Sequence, residues 1–195
     1  MNEYLFFKAR LYFTAIVTIA IWLLLAWGHY NGGVPSHHIM ARADMPEISN
    51  WWGGILLPLL SWLLLYRVHK RIISSKNNEI HSSVLYTNVA YGLIGALFFG
   101  ILLSIFFTFG YSDIQGYMMN GLFILALFLP IYRAECLLGF VIGMSFTFGA
   151  VLPTIAGLIF ALIGAVLYLF VRPAALYIAS ALAHKVSSNK HKVNR

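Results

Sequence analysis

Residues 84–109 read VLYTNVAYGLIGALFFGILLSIFFTF, an uninterrupted run without a charged side chain. The hydrocarbon core of a bilayer is about 30 Å thick, and about 20 apolar residues in a helix span it. Because lipid offers no hydrogen bonds to the backbone, such a run must satisfy its own amides as a helix. The stretch therefore predicts a transmembrane helix, and with it an integral membrane fold.

Five further apolar stretches surround this one. They cover residues 11–27, 48–66, 117–132, 136–152 and 154–171. One helix from 136 to 171 would far exceed the bilayer thickness at about 1.5 Å per residue, so Gly149 and Pro153 predict a hairpin turn between the last two stretches. We expect an all-α, polytopic integral membrane bundle of about six transmembrane helices within residues 1–184, followed by a basic tail at 185–195.

The composition excludes an ordinary soluble domain. Hydrophobic residues make up 61% of the chain and charged residues 10%, and the mean hydropathy is +0.81. Soluble domains carry about 25% charged residues, which they need to cover a globule in water. The single cysteine, Cys136, rules out an internal disulfide framework. Lipid is therefore the expected solvent, and helix packing is the expected source of stability.

The distribution of basic residues predicts the orientation of the bundle. Twelve of the 13 Lys and Arg residues lie on alternate connections, and Arg42 is the exception. Cytoplasmic loops retain Lys and Arg, so we expect both termini in the cytoplasm, with the bundle in a bacterial inner membrane. The net charge of +7 is then explained by contact with anionic lipid headgroups, and no nucleic-acid partner is expected.

The first outer loop, residues 28–47, concentrates side chains that are able to bind a metal ion. These candidates are His29, His37, His38, Asp44 and Glu47. Neutral imidazole with carboxylate suits Zn²⁺ or another transition metal, and an open coordination position would permit hydrolysis. Adjacent His37 and His38 diverge on a helix or a strand, so both reach one ion only from an irregular backbone. The loop thus predicts a metal site on the outer face.

The same loop has two other interpretations. Asp44 and Glu47 match a capping box, which would start a helix that runs on into the second span. Arg42 would then pair with Asp44 or with a lipid phosphate. Alternatively, Arg42 and Asn50 would contribute to a site for a ligand other than a metal.

Polar residues within and beside the spans form a second set of candidates. Asn88 and Tyr91 in the third span and Asn120 in the fourth would line a path for an uncharged or lipid-like solute if they converge. Arg133 and Glu135, at the inner end, would gate that path or hold a partner. The alternatives are interhelical hydrogen bonds and snorkelling charges. No ionisable residue lies deep within a predicted span, which disfavours a proton-coupled antiporter.

Three functional classes remain open, because no specific motif identifies an enzyme. A small transporter or channel for a neutral or amphiphilic solute is favoured by the helix count, by the glycines and by the similarity of 100–110 (GILLSIFFTFG) to 139–149 (GFVIGMSFTFG). The same small residues also suit close helix packing. The histidine-rich loop favours an outward-facing metal-dependent enzyme. The lack of motifs favours a lipid-binding protein or a subunit of a membrane complex, including a homo-oligomer.

Overall fold

The computed structural model of the protein describes residues 3–38, 44, 47–74 and 79–193. These residues form a helical bundle with one small two-stranded hairpin. The helices are α1 (Glu3–Tyr30), α2 (Gly53–Ser74), α3 (Glu79–Thr108), α4 (Ser112–Phe128), α5 (Ala134–Phe148), α6 (Val151–Val166) and α7 (Arg172–Val193). The remaining elements are strands β1 (Ser36–His38) and β2 (Glu47–Ser49), a 3-10 helix (Asn50–Trp52) and a π-helical turn (Leu167–Val171).

Four helical segments of the described residues are long and apolar enough to cross a membrane. They are Tyr4–Tyr30, Asn50–Ser74, Val84–Thr108 and Val151–Leu182. The helices α4, with 17 residues, and α5, with 15, are also apolar but shorter than the usual span of about 20. The protein is therefore an integral membrane helical bundle, and the count of six transmembrane helices remains a prediction.

The turn between α5 and α6 lies where the sequence predicts it. Gly149 follows the last residue of α5 and has a φ of 69°, a conformation that glycine adopts without steric cost. The helix that contains the sixth predicted stretch, 154–171, extends beyond it, because α6 continues through the π-helical turn into α7. Pro173 has no backbone N–H and would crowd the preceding turn of a regular helix. The wider π turn directly before it relieves that conflict, so the helix does not end there.

The helices α1 and α2 pack as an antiparallel pair. Phe6, early in α1, stacks on His69, late in α2, with ring centroids 4.3 Å apart. Trp22, late in α1, lies against Trp51 just before α2, with centroids 6.3 Å apart. Aromatic rings therefore hold this pair together at both ends.

Arg10 lies inside α1, although the sequence predicts that the first span begins after it. Only 8% of its surface is exposed, and its guanidinium carbon lies 3.8 Å from the ring centroid of Trp62 and 5.5 Å from that of Tyr66. The negative faces of aromatic rings attract a cation, which stabilises the charge here. Helix α1 therefore begins before the predicted first span, and it includes Arg10 in its early turns.

The helices α3 and α5 form the most extensive pair of the bundle, and they run parallel. Gly139 lies on the backbone of Leu93 and Leu97, and Gly143, one turn later, lies on that of Leu97 and Gly100. A Cβ atom on either α5 glycine would collide with backbone atoms of α3. Small residues four apart thus allow direct backbone contact, which confirms the packing interpretation of these glycines.

The first loop forms a hairpin instead of the capped helix start. Strand β1 pairs antiparallel with β2, and His38 lies opposite Glu47 in the register. The Ser36 hydroxyl donates a hydrogen bond to the Glu47 carboxylate, so this side chain is not a helix cap. Ser49 takes that role, because its hydroxyl accepts from the Trp51 backbone N–H at the start of the 3-10 helix. The capping box predicted from Asp44 and Glu47 is therefore wrong.

Candidate functional site

A cavity of about 780 Å³ lies between α3, α4, α5 and α6. Its walls are mainly apolar and include the rings of Phe99, Phe140 and Phe160 with the side chains of Leu102 and Leu122. This volume is within the range of about 300–1,000 Å³ that is typical of small-molecule sites. The cavity is therefore large enough for a solute with a substantial apolar part.

The cavity is open in part because Gly95, which faces it, has no side chain to fill it. Gly95 on α3 lines the cavity, and a Cβ atom built on it would meet nothing within 4 Å. Gly92 and Ala96 on the same helix and Gly157 on α6 also contribute to the wall. A large side chain at Gly95 would enter this space, so the lack of a side chain there helps to keep the cavity open.

One end of the cavity is polar, and we call it the basic end of the cavity. The polar side chains that line it are those of Asn88, Tyr91, Arg133, Glu135 and Tyr168. They meet because α3 and α5 begin at this end, whereas α4 and α6 end there. Four of the predicted ligand-binding residues, Asn88, Tyr91, Arg133 and Glu135, therefore line one cavity.

Glu135 is almost fully buried, with 2% of its side chain exposed. The Arg71 guanidinium on α2 donates two hydrogen bonds to it, from Nη2 to Oε1 at 2.8 Å and from Nη1 to Oε2 at 3.2 Å. Gly92 leaves room behind the carboxylate, because a Cβ there would lie 3.0 Å from the Glu135 Cγ. The snorkelling interpretation of Glu135 is therefore wrong, and a paired buried charge replaces it.

Arg133 is half-buried at the N-cap of α5. Its carbonyl oxygen accepts from the backbone N–H groups of Cys136 at 3.0 Å and Leu137 at 3.1 Å, which fixes the start of the helix. Among the described residues, no carboxylate forms an ion pair with its guanidinium, since Glu135 is held by Arg71. Arg133 therefore contributes a positive charge to the cavity wall that no described carboxylate neutralises.

Two residues of the site are not among the sequence-predicted candidates. Arg71 is separated from Glu135 by 64 positions, and no sequence spacing links the two. Tyr168 lies in the π-helical turn, where its ring contacts Tyr132 at 5.9 Å between centroids, and the Arg172 guanidinium carbon lies 4.7 Å from its centroid. The position of Arg71 among the predicted inner basic residues is the one available signal for it.

The other predicted ligand residues lie elsewhere. Asn120 is exposed on α4 and does not line the cavity. Asn50 packs against Gly149 at the opposite end of the bundle. Arg42 lies outside the described residues. The roles of these three residues remain predictions.

The predicted metal ligands do not form a cluster in the described part of the chain. The His29 ring lies against Tyr30 and Trp51, with centroids 5.4 Å and 6.1 Å away. No group of three or more His, Cys, Asp or Glu side chains comes together among the described residues. The side chains of His37 and His38 lie outside that description, and Asp44 is an exposed turn residue. The metal site of the loop therefore remains a prediction.

No known protein family matches this chain, and neither does any curated protein or any solved structure. Function is therefore inferred from the shape and chemistry of the cavity itself.

Proposed function

We propose that this integral membrane protein is a small transporter that binds an amphiphilic solute in the cavity between α3, α4, α5 and α6. The observation that carries the proposal is an apolar cavity of about 780 Å³ with polar side chains at one end only. A solute with an apolar tail and a polar head matches that division. A uniformly polar solute would have to be desolvated against phenylalanine and leucine side chains, at a cost of several kcal/mol.

The length of the cavity also fits a chain-like solute. Its lining on α3 runs from Asn88 to Leu102, which corresponds to about 21 Å of helix at about 1.5 Å per residue. That distance exceeds half of the hydrocarbon core, which is about 30 Å thick. An extended apolar tail would therefore lie along α3, with its head beside Asn88.

Exposed apolar residues on the cavity wall favour access from the lipid. The side chains of Tyr91 and Phe98 on α3 are 72% and 61% exposed, and those of Leu125 and Leu129 on and after α4 are 46% and 52% exposed. These residues line the cavity and also face the surroundings of the bundle. A solute dissolved in the membrane would pass between α3 and α4 without crossing water.

Irregular backbone beside the cavity favours movement during transport. Tyr168 lies in the π-helical turn, and π turns frequently occur at functional sites because they interrupt the regular hydrogen-bond ladder. Pro130 follows α4 and also lines the cavity. A lipid-binding subunit would need the cavity but would not need to move, so a flux measurement separates these two functions.

The proposal is tested by filling the cavity from within. Gly95→Phe would place a ring in the void, whereas Gly121→Phe is the matched control, because Gly121 on α4 has equal free space but does not line the cavity. Purified variants are exposed to single-chain amphiphiles that have photoactivatable tails and anionic, neutral or cationic heads. Crosslinked residues are then located by mass spectrometry. The same amphiphiles are followed across phosphatidylcholine vesicles that contain each variant.

We expect at least one amphiphile to label the cavity wall and to cross the vesicle membrane faster than in protein-free vesicles. Gly95→Phe should reduce labelling and transfer by at least about tenfold, which corresponds to about 1.4 kcal/mol of binding, and Gly121→Phe should leave both unchanged. Equal labelling of the wild type and Gly95→Phe would refute the site. Labelling without accelerated transfer would refute transport and would support the lipid-binding alternative.

A further inference from the structure

We infer that the head of the bound amphiphile is anionic, a phosphate or a carboxylate, and that Arg133 is the residue that selects it. This inference rests on the proposed function, because it specifies the solute of the same cavity. It follows from the balance of charge at the basic end, from the pairing of Glu135 and from the burial of the groups involved.

The basic end of the cavity has an excess of positive charge. Among the described residues that line it, Glu135 is the one acidic side chain, and Arg71 neutralises it through two hydrogen bonds. Arg133 lines the same cavity and forms no ion pair with a described carboxylate. Arg172 adds a further cation beside the lining residue Tyr168. An occupant with a negative head would neutralise this excess.

The buried carboxylate is not free to bind a cationic head. Both oxygens of Glu135 accept hydrogen bonds from Arg71, at 2.8 Å and 3.2 Å. A cation at Glu135 would have to displace a guanidinium that already makes a bidentate, charge-assisted contact. It would also lie close to Arg133, and like charges in a partly buried site repel each other strongly. A cationic head is therefore disfavoured.

A neutral head would leave the half-buried Arg133 without a counter-charge from the described part of the chain. Burial of an unpaired charge is costly, so an anionic head gains more at this position than it would in water. A guanidinium binds phosphate and carboxylate groups through pairs of parallel hydrogen bonds. Asn88 and Tyr91 add an amide and a hydroxyl that are able to donate to the remaining oxygens. Phosphate and carboxylate share this chemistry, and the experiment separates them.

The test compares four amphiphiles that share one tail and differ in the head: hexadecyl phosphate, palmitate, hexadecanol and hexadecyltrimethylammonium. Each competes with a photoactivatable amphiphile for labelling of the purified protein in detergent. We expect one or both anionic compounds to compete at a concentration at least about tenfold lower than hexadecanol. Competition by hexadecyl phosphate alone would identify phosphate as the head, and competition by palmitate alone would identify carboxylate.

Three variants test the role of Arg133. Arg133→Gln should remove the preference for the anionic head, whereas Arg133→Lys should keep part of it, because the charge remains without the planar fork. Arg67→Gln is the matched control, since Arg67 is exposed on α2 and does not line the cavity. If Arg133→Gln does not fold, Arg172→Gln replaces it and should weaken the preference by a smaller factor. Folding is checked by gel filtration in detergent.

The outcomes separate this inference from the proposed function. Equal competition by all four heads, or a preference for the cationic head, would overturn the inference and leave the amphiphile site in place. An unchanged anionic preference in Arg133→Gln would also overturn it. If no head competes and none labels the cavity, the proposed function fails together with the inference.

Discussion

Two faces of α5 differ sharply in how they are packed. On the α3 face, Gly139 and Gly143 bring the two backbones into contact, and a Cβ atom at Gly100 would lie 2.8 Å from the Phe140 carbonyl oxygen. On the face toward α4 and α6, Phe140 lines a cavity of about 780 Å³. The same helix therefore has one face without space for a methyl group and another beside an open volume.

This difference teaches that glycine has opposite effects within one bundle. Where two helices both present small residues to each other, glycine removes the space between them, as between Gly100 and Gly143. Where no neighbouring helix packs against a glycine, the missing side chain leaves a void, as at Gly95. Close packing of α5 against α3 makes this pair of helices rigid. Loose packing of α5 against α4 and α6 leaves the cavity that forms the candidate site.

The largest expected effect comes from breaking the closed face. Gly139→Leu would force a side chain into the backbone of Leu93, which has no room to retreat, so we expect a loss of more than about 3 kcal/mol of stability. The measurement is thermal unfolding in detergent, together with the yield of monodisperse protein. Gly121→Leu is the control, because its side chain would enter free space. Equal stability of both variants would show that α3 and α5 do not pack through their backbones.

A smaller effect is expected from the ion pair at the first turn of α5. Arg71→Met would leave Glu135 buried without a partner, which should cost about 3 kcal/mol. The double variant Arg71→Met, Glu135→Gln should recover most of that loss, because it removes the buried charge itself. Unfolding in detergent at neutral pH measures both. If the double variant is no more stable than Arg71→Met, the pair does not hold α2 to α5.

The smallest expected effect is a difference in stability cost between the glycines that follow α3 and α5. Both glycines end the same sequence, FTFG. Gly110 has a φ of 76° and open space around it, whereas Gly149 has a φ of 69° and lies against the Asn50 side chain. Gly110→Ala should cost about 1 kcal/mol from its backbone conformation alone. Gly149→Ala should cost about 2 kcal/mol more, because its ψ of −173° at positive φ is essentially restricted to glycine and because a Cβ atom there would also clash with Asn50. Equal costs in thermal unfolding would contradict both the backbone conformation of Gly149 and its contact with Asn50.

Hydropathy and turn residues predict much of the fold. The apolar runs overlap α2 to α6, with ends that differ by up to eight residues, and the turn at Gly149 is predicted correctly because a glycine and a following proline are local signals. The start of α1 is not predicted, because Arg10 is sheltered by rings of α2 that no local pattern reveals. The hairpin of the first loop is missed for a similar reason, since its pairing is non-local.

The candidate site is predicted in part. Asn88, Tyr91, Arg133 and Glu135 stand out because polar residues in or beside apolar spans are rare, and rarity is visible in a sequence. Their convergence depends on the parallel packing of α3 with α5, which no single stretch specifies. The pairing of Glu135 with Arg71 depends on the same arrangement. The sequence therefore indicates which residues carry chemistry, and only the packing indicates which of them meet.

The turn between α5 and α6, which contains Gly149, packs against the start of α2. A Cβ atom built on Gly53, the first residue of α2, would lie 3.4 Å from the Ala150 Cβ in that turn. At the other end of α5, about 22 Å away for 15 residues at about 1.5 Å each, Glu135 is held by Arg71 in the last turn of α2. Helix α5 is therefore anchored to α2 at both ends, so a displacement of α5 would have to carry α2 with it.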